Sequence, residues 1–258
     1  MMVPGVIDSH VHLGFGTVPL GSGDALEDLR CWRRRATAAG VRRAVLMAAP
    51  VGDYGEANRL VARVARREPD RWLWYAFVNA VADRGRVEDV VAAAHRRGAC
   101  GLKVHWSDGP ATDEVGEAAR RHRMPVLFDP AGDVRLVVRL ADRHPDVAWI
   151  APHLSSFADD VRAQSRLVDV LVRRANVFTD TSGVRYFDLL QEAVCRAGAH
   201  KVLFGSDGPF LHPAPALATV RALRLDPADR ARVLRENVLR LTRPARTPST
   251  RTSWTRTP

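Results

Sequence analysis

Residues 3–16 read VPGVIDSHVHLGFG, an apolar run closed by an aspartate, then two histidines two positions apart, then glycines. A doubly wound open sheet that binds nucleotide would begin its glycine-rich turn directly after the first strand. Ser9, His10 and His12 stand there instead. That favours the other common all-parallel arrangement, a (β/α)8 TIM barrel, whose functional groups sit at the C-terminal ends of its strands.

The remainder of the chain carries the alternation that a barrel needs. Eight short apolar runs are legible, at 3–8, 43–48, 72–78, 101–105, 125–129, 147–153, 176–180 and 201–207. Between them lie stretches with helical period, at 24–39, 54–67, 86–97, 112–122, 133–143, 157–174, 186–197 and 213–222. Asp24, Thr112 and Asp133 are placed to cap helix N-termini, and Gly40, Gly98 and Gly198 to end helices in a left-handed residue. Asp226-Pro227 opens a last amphipathic helix that runs through Leu241. Eight strands alternating with eight helices predict parallel strands buried by helices. The expected organisation is one barrel over 1–241 and a disordered Arg/Thr/Pro-rich tail over 242–258.

Composition excludes several classes. The 258 residues are 46% hydrophobic and 26% charged, which is neither disordered nor fibrous. No apolar run reaches the length of a membrane span, and the opening MMVPGVIDSH lacks the features of a signal peptide, so a cytoplasmic location is expected. Cys31, Cys100 and Cys195 are odd in number, widely spaced and without a CxxC pair, so reduced thiols are expected. The formal charge of +10 would ordinarily raise the case for a nucleic-acid partner. Lys103 and Lys201 are the only lysines among 39 basic side chains, however, and the other 37 are arginine, the mark of a compositional bias. Four arginines also fall in the tail, at 243, 246, 251 and 256. Charge is therefore weak evidence for nucleic acid; the expected partner is a small-molecule substrate, no membrane is expected, and a homodimer is left open.

The strand ends carry the chemistry. Strand 1 closes on His10 and His12, strand 4 on Lys103 and His105, strand 5 on Asp129, strand 6 on His153, strand 7 on Asp180 and strand 8 on Asp207. In an extended segment, side chains two apart leave on the same side, so His10 and His12 converge on one point. Two nearby histidines alone are more often surface or packing residues. Together with His153, Asp207 and Asp129 they supply the imidazole and carboxylate set that zinc, iron or manganese takes.

The strings VIDSHVHLG, GLKVHW, PVLFD, APHLSS, NVFTDTSG and VLFGSDGPF together resemble the amidohydrolase superfamily. More narrowly they are similar to the amidohydrolase-related branch that contains aminocarboxymuconate-semialdehyde decarboxylase, over Ile7 to about Leu241. The resemblance implies a metal-dependent barrel in which His10 and His12 hold the metal, Asp207 holds it and takes a proton from water, and His153 polarises substrate or serves as acid or base. It implies a metal-activated water that attacks a small amide, ester or lactone. One position departs from the family. Strand 5 closes on Asp129, followed by Pro130, where the branch usually has a histidine ligand. A carboxylate can still bind, and Asp129 is counted with His10, His12 and Asp207 as a ligand. One divalent ion is expected, zinc in first place, with manganese or iron as the alternatives that the oxygen of Asp129 suits.

Some relatives carbamylate a strand 4 lysine to bridge two metals, but the missing strand 5 histidine favours a single ion and leaves Lys103 as a cation for substrate. His105, Trp106 and Arg185 are the other candidate substrate contacts, Arg185 as a bidentate carboxylate grip, although each also has an ordinary surface or packing explanation. Asp8 and Asp180 read as partners that orient the histidines. His95, His122, His144 and His200 read as surface residues, and the loop 14–23 as a segment that closes over the pocket or is simply flexible. Two other functions share the residues. One is non-oxidative decarboxylation of an unsaturated carboxylic acid at the same site. The other is a degraded, non-catalytic barrel with a binding role.

Overall fold

The computed structural model describes residues 5–157 and 160–243; the expected tail beyond 243 lies outside the described residues. The strands are β1 (Val6–Leu13), β2 (Val41–Ala48), β3 (Trp72–Trp74), β4 (Ala76–Phe77), β5 (Leu102–His105), β6 (Val126–Asp129), β7 (Trp149–Ala151), β8 (Val177–Asp180) and β9 (Val202–Leu203). The helices are α1 (Ala25–Ala39), α2 (Gly55–Arg67), α3 (Val87–Arg96), α4 (Asp113–His122), α5 (Val134–Arg143), α6 (Val161–Arg173), α7 (Phe187–Ala197), α8 (Pro213–Ala222), α9 (Pro227–Ala231) and α10 (Asn237–Leu241). All strand pairs are parallel, in the order β1-β2-β3 and β4-β5-β6-β7-β8-β9.

The two sheets are one barrel. β3 and β4 are halves of a single run divided at Tyr75, whose amide still donates to Leu46 O while the Ala76 amide donates to Gly101 O. At the other seam the first strand meets the segment after β9. Ser9 N donates to Phe204 O at 2.8 Å, His12 N donates to Gly208 O at 2.6 Å, and Val11 bridges Gly208 in parallel.

The helix punctuation follows the sequence with one exception: Gly198 ends α7 with positive φ but with ψ of 149°, outside the left-handed helical conformation. Asp24, Thr112, Asp133 and Asp226 each accept a backbone N–H of their own first turn. Gly40 ends α1 with φ of 92°. Helix α6 starts at Val161, capped by Asp160, rather than at 157, and the last helix is interrupted by a π-helical turn at Arg232–Glu236. His144 corrects the sequence reading: it is buried, not a surface residue. Its ring fills the space left by the absent side chain of Gly116, and its Nε2 lies 3.1 Å from Asp113 Oδ1.

Inside the barrel two layers are stacked. Ile7, Val45, Met47, Tyr75, Leu127, Ile150, Phe178 and Leu203 form a dry layer, joined by Val238 of α10. Two positions further along a strand, the same inward face becomes polar. Leu127 is followed by Asp129 and Phe178 by Asp180; on β5 the charge comes one layer earlier, with Lys103 beside Leu127 and His105 beside Asp129. Among the described residues no helix is long and apolar enough to cross a membrane.

The dry layer is closely filled. A Cβ at Gly101 would lie 2.4 Å from the ring of the fully buried Tyr75. Gly101→Ala is therefore expected to destabilise by about 1–3 kcal/mol, as overpacking does. Thermal melting checks it, and an unchanged midpoint would contradict the packing described.

Candidate metal centre

His10 and His12 project from β1, and Asp207 from the segment after β9 that closes the barrel against β1. His10 Nε2 and His12 Nε2 are 3.2 Å apart, and Asp207 Oδ1 lies 3.5 Å from the first and 3.4 Å from the second. The acceptors behind the rings determine what these atoms can do. His12 Nδ1 is 2.7 Å from the carbonyl oxygen of Ala48, which can only accept, so Nδ1 carries the proton. His10 Nδ1 is 2.9 Å from Asp180 Oδ2, again an acceptor. With both protons at Nδ1, both Nε2 atoms present bare lone pairs to each other and to a carboxylate oxygen. Three electron-rich atoms in that arrangement call for a cation between them. The donor set, two imidazole nitrogens and one carboxylate oxygen, suits a divalent transition metal.

Buried charges reinforce the pattern. Burial works to raise Asp180, but His10 beside it, the hydrogen bond from His10, and then His153 and Ser182 hold it down at about 2. Asp207 is likewise lowered against its burial, by His10, His12 and His153 in their protonated forms, a positive charge that a cation between the neutral rings would supply instead. His10 is pushed down to about 4, first by burial and then by the Lys103 charge, so its ring is neutral at pH 7. Lys103 is itself buried and pulled down by desolvation, while Asp129, Asp207 and Asp180 act to keep it charged.

A second group joins the first at His10. One ligand atom each from His10, His153 and Asp180 lies within 4.8 Å of the others, whereas those of His10, His12 and Asp207 stand 3.2–3.5 Å apart. Behind His153 are Ser182 O and Ser182 Oγ, each 2.8 Å from its Nδ1. The carbonyl again places the proton on Nδ1 and leaves Nε2 free to accept one. His153 has φ of 58° and Asp207 φ of 60°, left-handed conformations that non-glycine residues adopt at a cost and that concentrate at functional sites.

The other expected residues are placed as follows. Among the described residues Asp129 lies outside both groups. Its Oδ1 accepts the Ala131 amide at 2.9 Å, and its Oδ2 is 3.6 Å from His105 Nε2. His105 is pushed down to about 3, by burial first and then by Lys103. Trp106 stands at the mouth with 55% of its surface exposed, and Arg185 is exposed on the loop after β8. Asp8 and Asp180 are both fully buried; Asp180 holds the His10 ring as expected, whereas Asp8 Oδ1 accepts only the backbone amides of His10 and Ser206 and so supports the strand rather than an imidazole. Loop 14–23 is tied down: Ser22 N and Oγ both donate to Asp28 Oδ1, and Phe15 packs edge-on against Phe210, which packs against His12. It borders a cavity of about 580 Å³ with Leu13, Ala48, Leu60 and Val61 in its wall.

Ser182 and Gly205 were not singled out in the sequence. Ser182 is one of many serines until the fold brings it to two histidines. At Gly205 an added Cβ would lie 3.1 Å from His10 Cβ and 3.2 Å from Asp180 Cγ, a tight contact that would press on both. Both occur in strings that carry the family resemblance, NVFTDTSG and VLFGSDGPF, which is the signal by which they could have been found.

Fold and site define a parallel barrel with a histidine-carboxylate centre of the metal-binding type at the C-terminal ends of its strands. The sequence model of the amidohydrolase family matches residues 7–243, and the chain belongs to that family of enzymes. No curated protein matches it in sequence. Among solved structures it is similar to an uncharacterised TIM-barrel protein of Bordetella bronchiseptica, at 17% identity and TM-score 0.73 over 92% of this chain and 97% of that one. A probable 2-pyrone-4,6-dicarboxylic acid hydrolase of Acinetobacter baumannii, with citric acid bound, matches at 15% identity and TM-score 0.70 over 93% and 99%. A dihydroxybenzoic acid decarboxylase of a Polaromonas species, with bound manganese and the inhibitor 2-nitroresorcinol, matches at 16% identity and TM-score 0.67 over 92% and 96%.

Asp8 gives the site a pH signature. Its Oδ2 is buried without a partner among the described residues, and burial pushes the carboxyl from 3.8 up to about 7. Between those values the folded chain holds a proton that the unfolded chain has released, so stability falls as pH rises through the window. Asp8→Asn has no such proton to lose. In metal-free protein, unfolding free energies from urea melts are expected to favour the variant progressively from pH 4 to 7, by at most about 4 kcal/mol; parallel curves would refute the assignment.

Proposed function

We propose that the chain is a metal-dependent hydrolase of a small amide, ester or lactone. The convergence of His10 Nε2, His12 Nε2 and Asp207 Oδ1, each with its lone pairs turned inward, carries this reading. A divalent ion held there, zinc first and manganese or iron next, supplies a Lewis acid for a carbonyl and lowers the pKa of water from about 16 to about 7.

The chain's own groups supply the rest. Asp207 stays ionised and can receive a proton from water. His153, with Nδ1 committed to Ser182, offers Nε2 to take a proton and return it to the leaving group. Lys103 places a positive charge beside the carboxylates, suited to an anionic group on the substrate, and we assign His105, Trp106 and Arg185 as further substrate contacts. Asp129 is the carboxylate next to His105, and we include it among the ligands.

A second reading, non-oxidative decarboxylation of an unsaturated acid, is favoured by the manganese-containing decarboxylase with the same fold and by a buried lysine able to hold a carboxylate.

Elemental analysis of purified protein is expected to find one divalent ion per chain, lost in His10→Ala and Asp207→Ala. Metal retained in Asp129→Ala would assign that residue to His105 instead. His153→Ala is expected to keep the metal and lose about 10²–10⁴-fold in rate. A new amine or alcohol supports hydrolysis, and carbon dioxide release supports the second reading. Native protein without metal, and indifferent to His10→Ala, would sink both.

A further inference from the structure

Ser182 is the point at which the metal-type triad and His153 meet. It is fully buried on the turn after β8. A serine hydroxyl has one proton to give and two lone pairs to offer. The proton goes to Asp180 Oδ1, a carboxylate that can only accept. The lone pairs are left for the two rings: His153 Nδ1 lies 2.8 Å from Ser182 Oγ, and His10 Nδ1 lies 3.2 Å from it. Asp180 is fixed from several sides, by Ser182 N at 3.1 Å and His153 N at 3.2 Å on Oδ1 and by His10 Nδ1 at 2.9 Å on Oδ2.

A buried serine that merely satisfies itself needs one partner, commonly a carbonyl of its own turn. This hydroxyl touches three ionisable side chains, from β1, from the turn after β7 and from β8. Its position determines where Asp180 can lie, and thereby which face of His10 is presented to His12 and Asp207. It also gives the His153 Nδ1 proton a second acceptor beside the Ser182 carbonyl, so that the ring cannot turn over without giving up both contacts at once.

We propose that Ser182 is a positioning residue whose hydroxyl sets His10 and His153 together, so that the triad and the proton-transferring histidine are held in register by one group. The functional meaning rests on the metal-dependent reading above; the arrangement of the rings does not.

The test uses full-length protein labelled with ¹⁵N-histidine and stripped of metal, with His10→Gln and His153→Gln to assign the ring signals. Long-range ¹H–¹⁵N spectra are expected to show His10 and His153 protonated at Nδ1, with both protons slow to exchange. In Ser182→Ala the His153 Nδ1 proton is expected to exchange at least about 10-fold faster, and zinc affinity, measured by competition with a chelating dye, to fall about 10–100-fold, as when partners behind metal ligands are removed. Ser182→Thr, which keeps the hydroxyl, is expected to recover most of both.

A wild-type spectrum with His153 protonated at Nε2 overturns the proposal without any variant, which covers the case of a Ser182→Ala chain that does not fold. A folded Ser182→Ala with unchanged exchange and unchanged zinc affinity overturns it too. A wild type that shows the Nδ1 protons and their dependence on Ser182, yet binds no zinc, supports the positioning role and removes the metal-dependent reading instead.

Discussion

The closure of the barrel between β1 and the segment after β9 is the constraint on which the site depends. His10 and His12 are separated from Asp207 by almost the whole chain, and they meet because Ser9 bonds to Phe204 and His12 to Gly208 across that seam. The last strand proper is only Val202–Leu203, so the closing contacts are made by irregular backbone that a longer strand would not allow to turn inward. Small residues make the approach feasible. Gly205 lets that backbone lie against His10 and Asp180, and Gly208 leaves room for the indole of Trp32, whose Nε1 would be 2.0 Å from an added Cβ. The metal-type triad is thus a property of the closed barrel and not of any one segment.

Charge inside the barrel runs opposite to charge outside. Asp8, Asp129, Asp180 and Asp207 are all buried, in a chain of formal charge +10. Both lysines are buried as well, although arginine serves almost everywhere else. Lys201 shows why. Its Nζ donates to the carbonyls of Arg174, Ala175 and Val177 at 2.6, 2.8 and 3.0 Å, a three-point contact that a compact ammonium makes and a planar guanidinium does not. Lys103 sits in the row of Leu127, Ile150 and Phe178, where a fork with five donors would leave several unsatisfied. The arginine-rich surface says little about partners, whereas the two lysines mark places where shape and burial override the compositional bias.

Much of this was legible in the sequence because it is periodic. The apolar runs, the helix caps and the inward pairing of His10 with His12 follow from repeats of two and 3.6 residues. Relations between distant segments are not periodic and were read less well. His144 looks like a solvent-facing residue at the end of α5, and only the missing side chain of Gly116 on α4 gives it a buried place. Asp129 ends the strand the sequence indicates, and its contacts with the Ala131 amide and His105 are details that a strand-end rule does not supply. Ser182 carries no distinguishing spacing at all; its importance arises from what lies on three other segments.

Backbone strain ties these observations together. Asp207 and His153 both hold left-handed conformations, as do Leu154 and Ser155 after His153, and each such residue costs on the order of 1–3 kcal/mol. A strand continuing in regular fashion past β7 or β9 would alternate its side chains and carry the next residue out of the barrel. The left-handed turns instead reverse the backbone at the barrel mouth, so that His153 stays buried against Ser182 and Asp207 against the two histidines. Removing the strain would therefore free the backbone and disperse the side chains in the same movement. The stability lost at those residues and the convergence of the site have one structural origin.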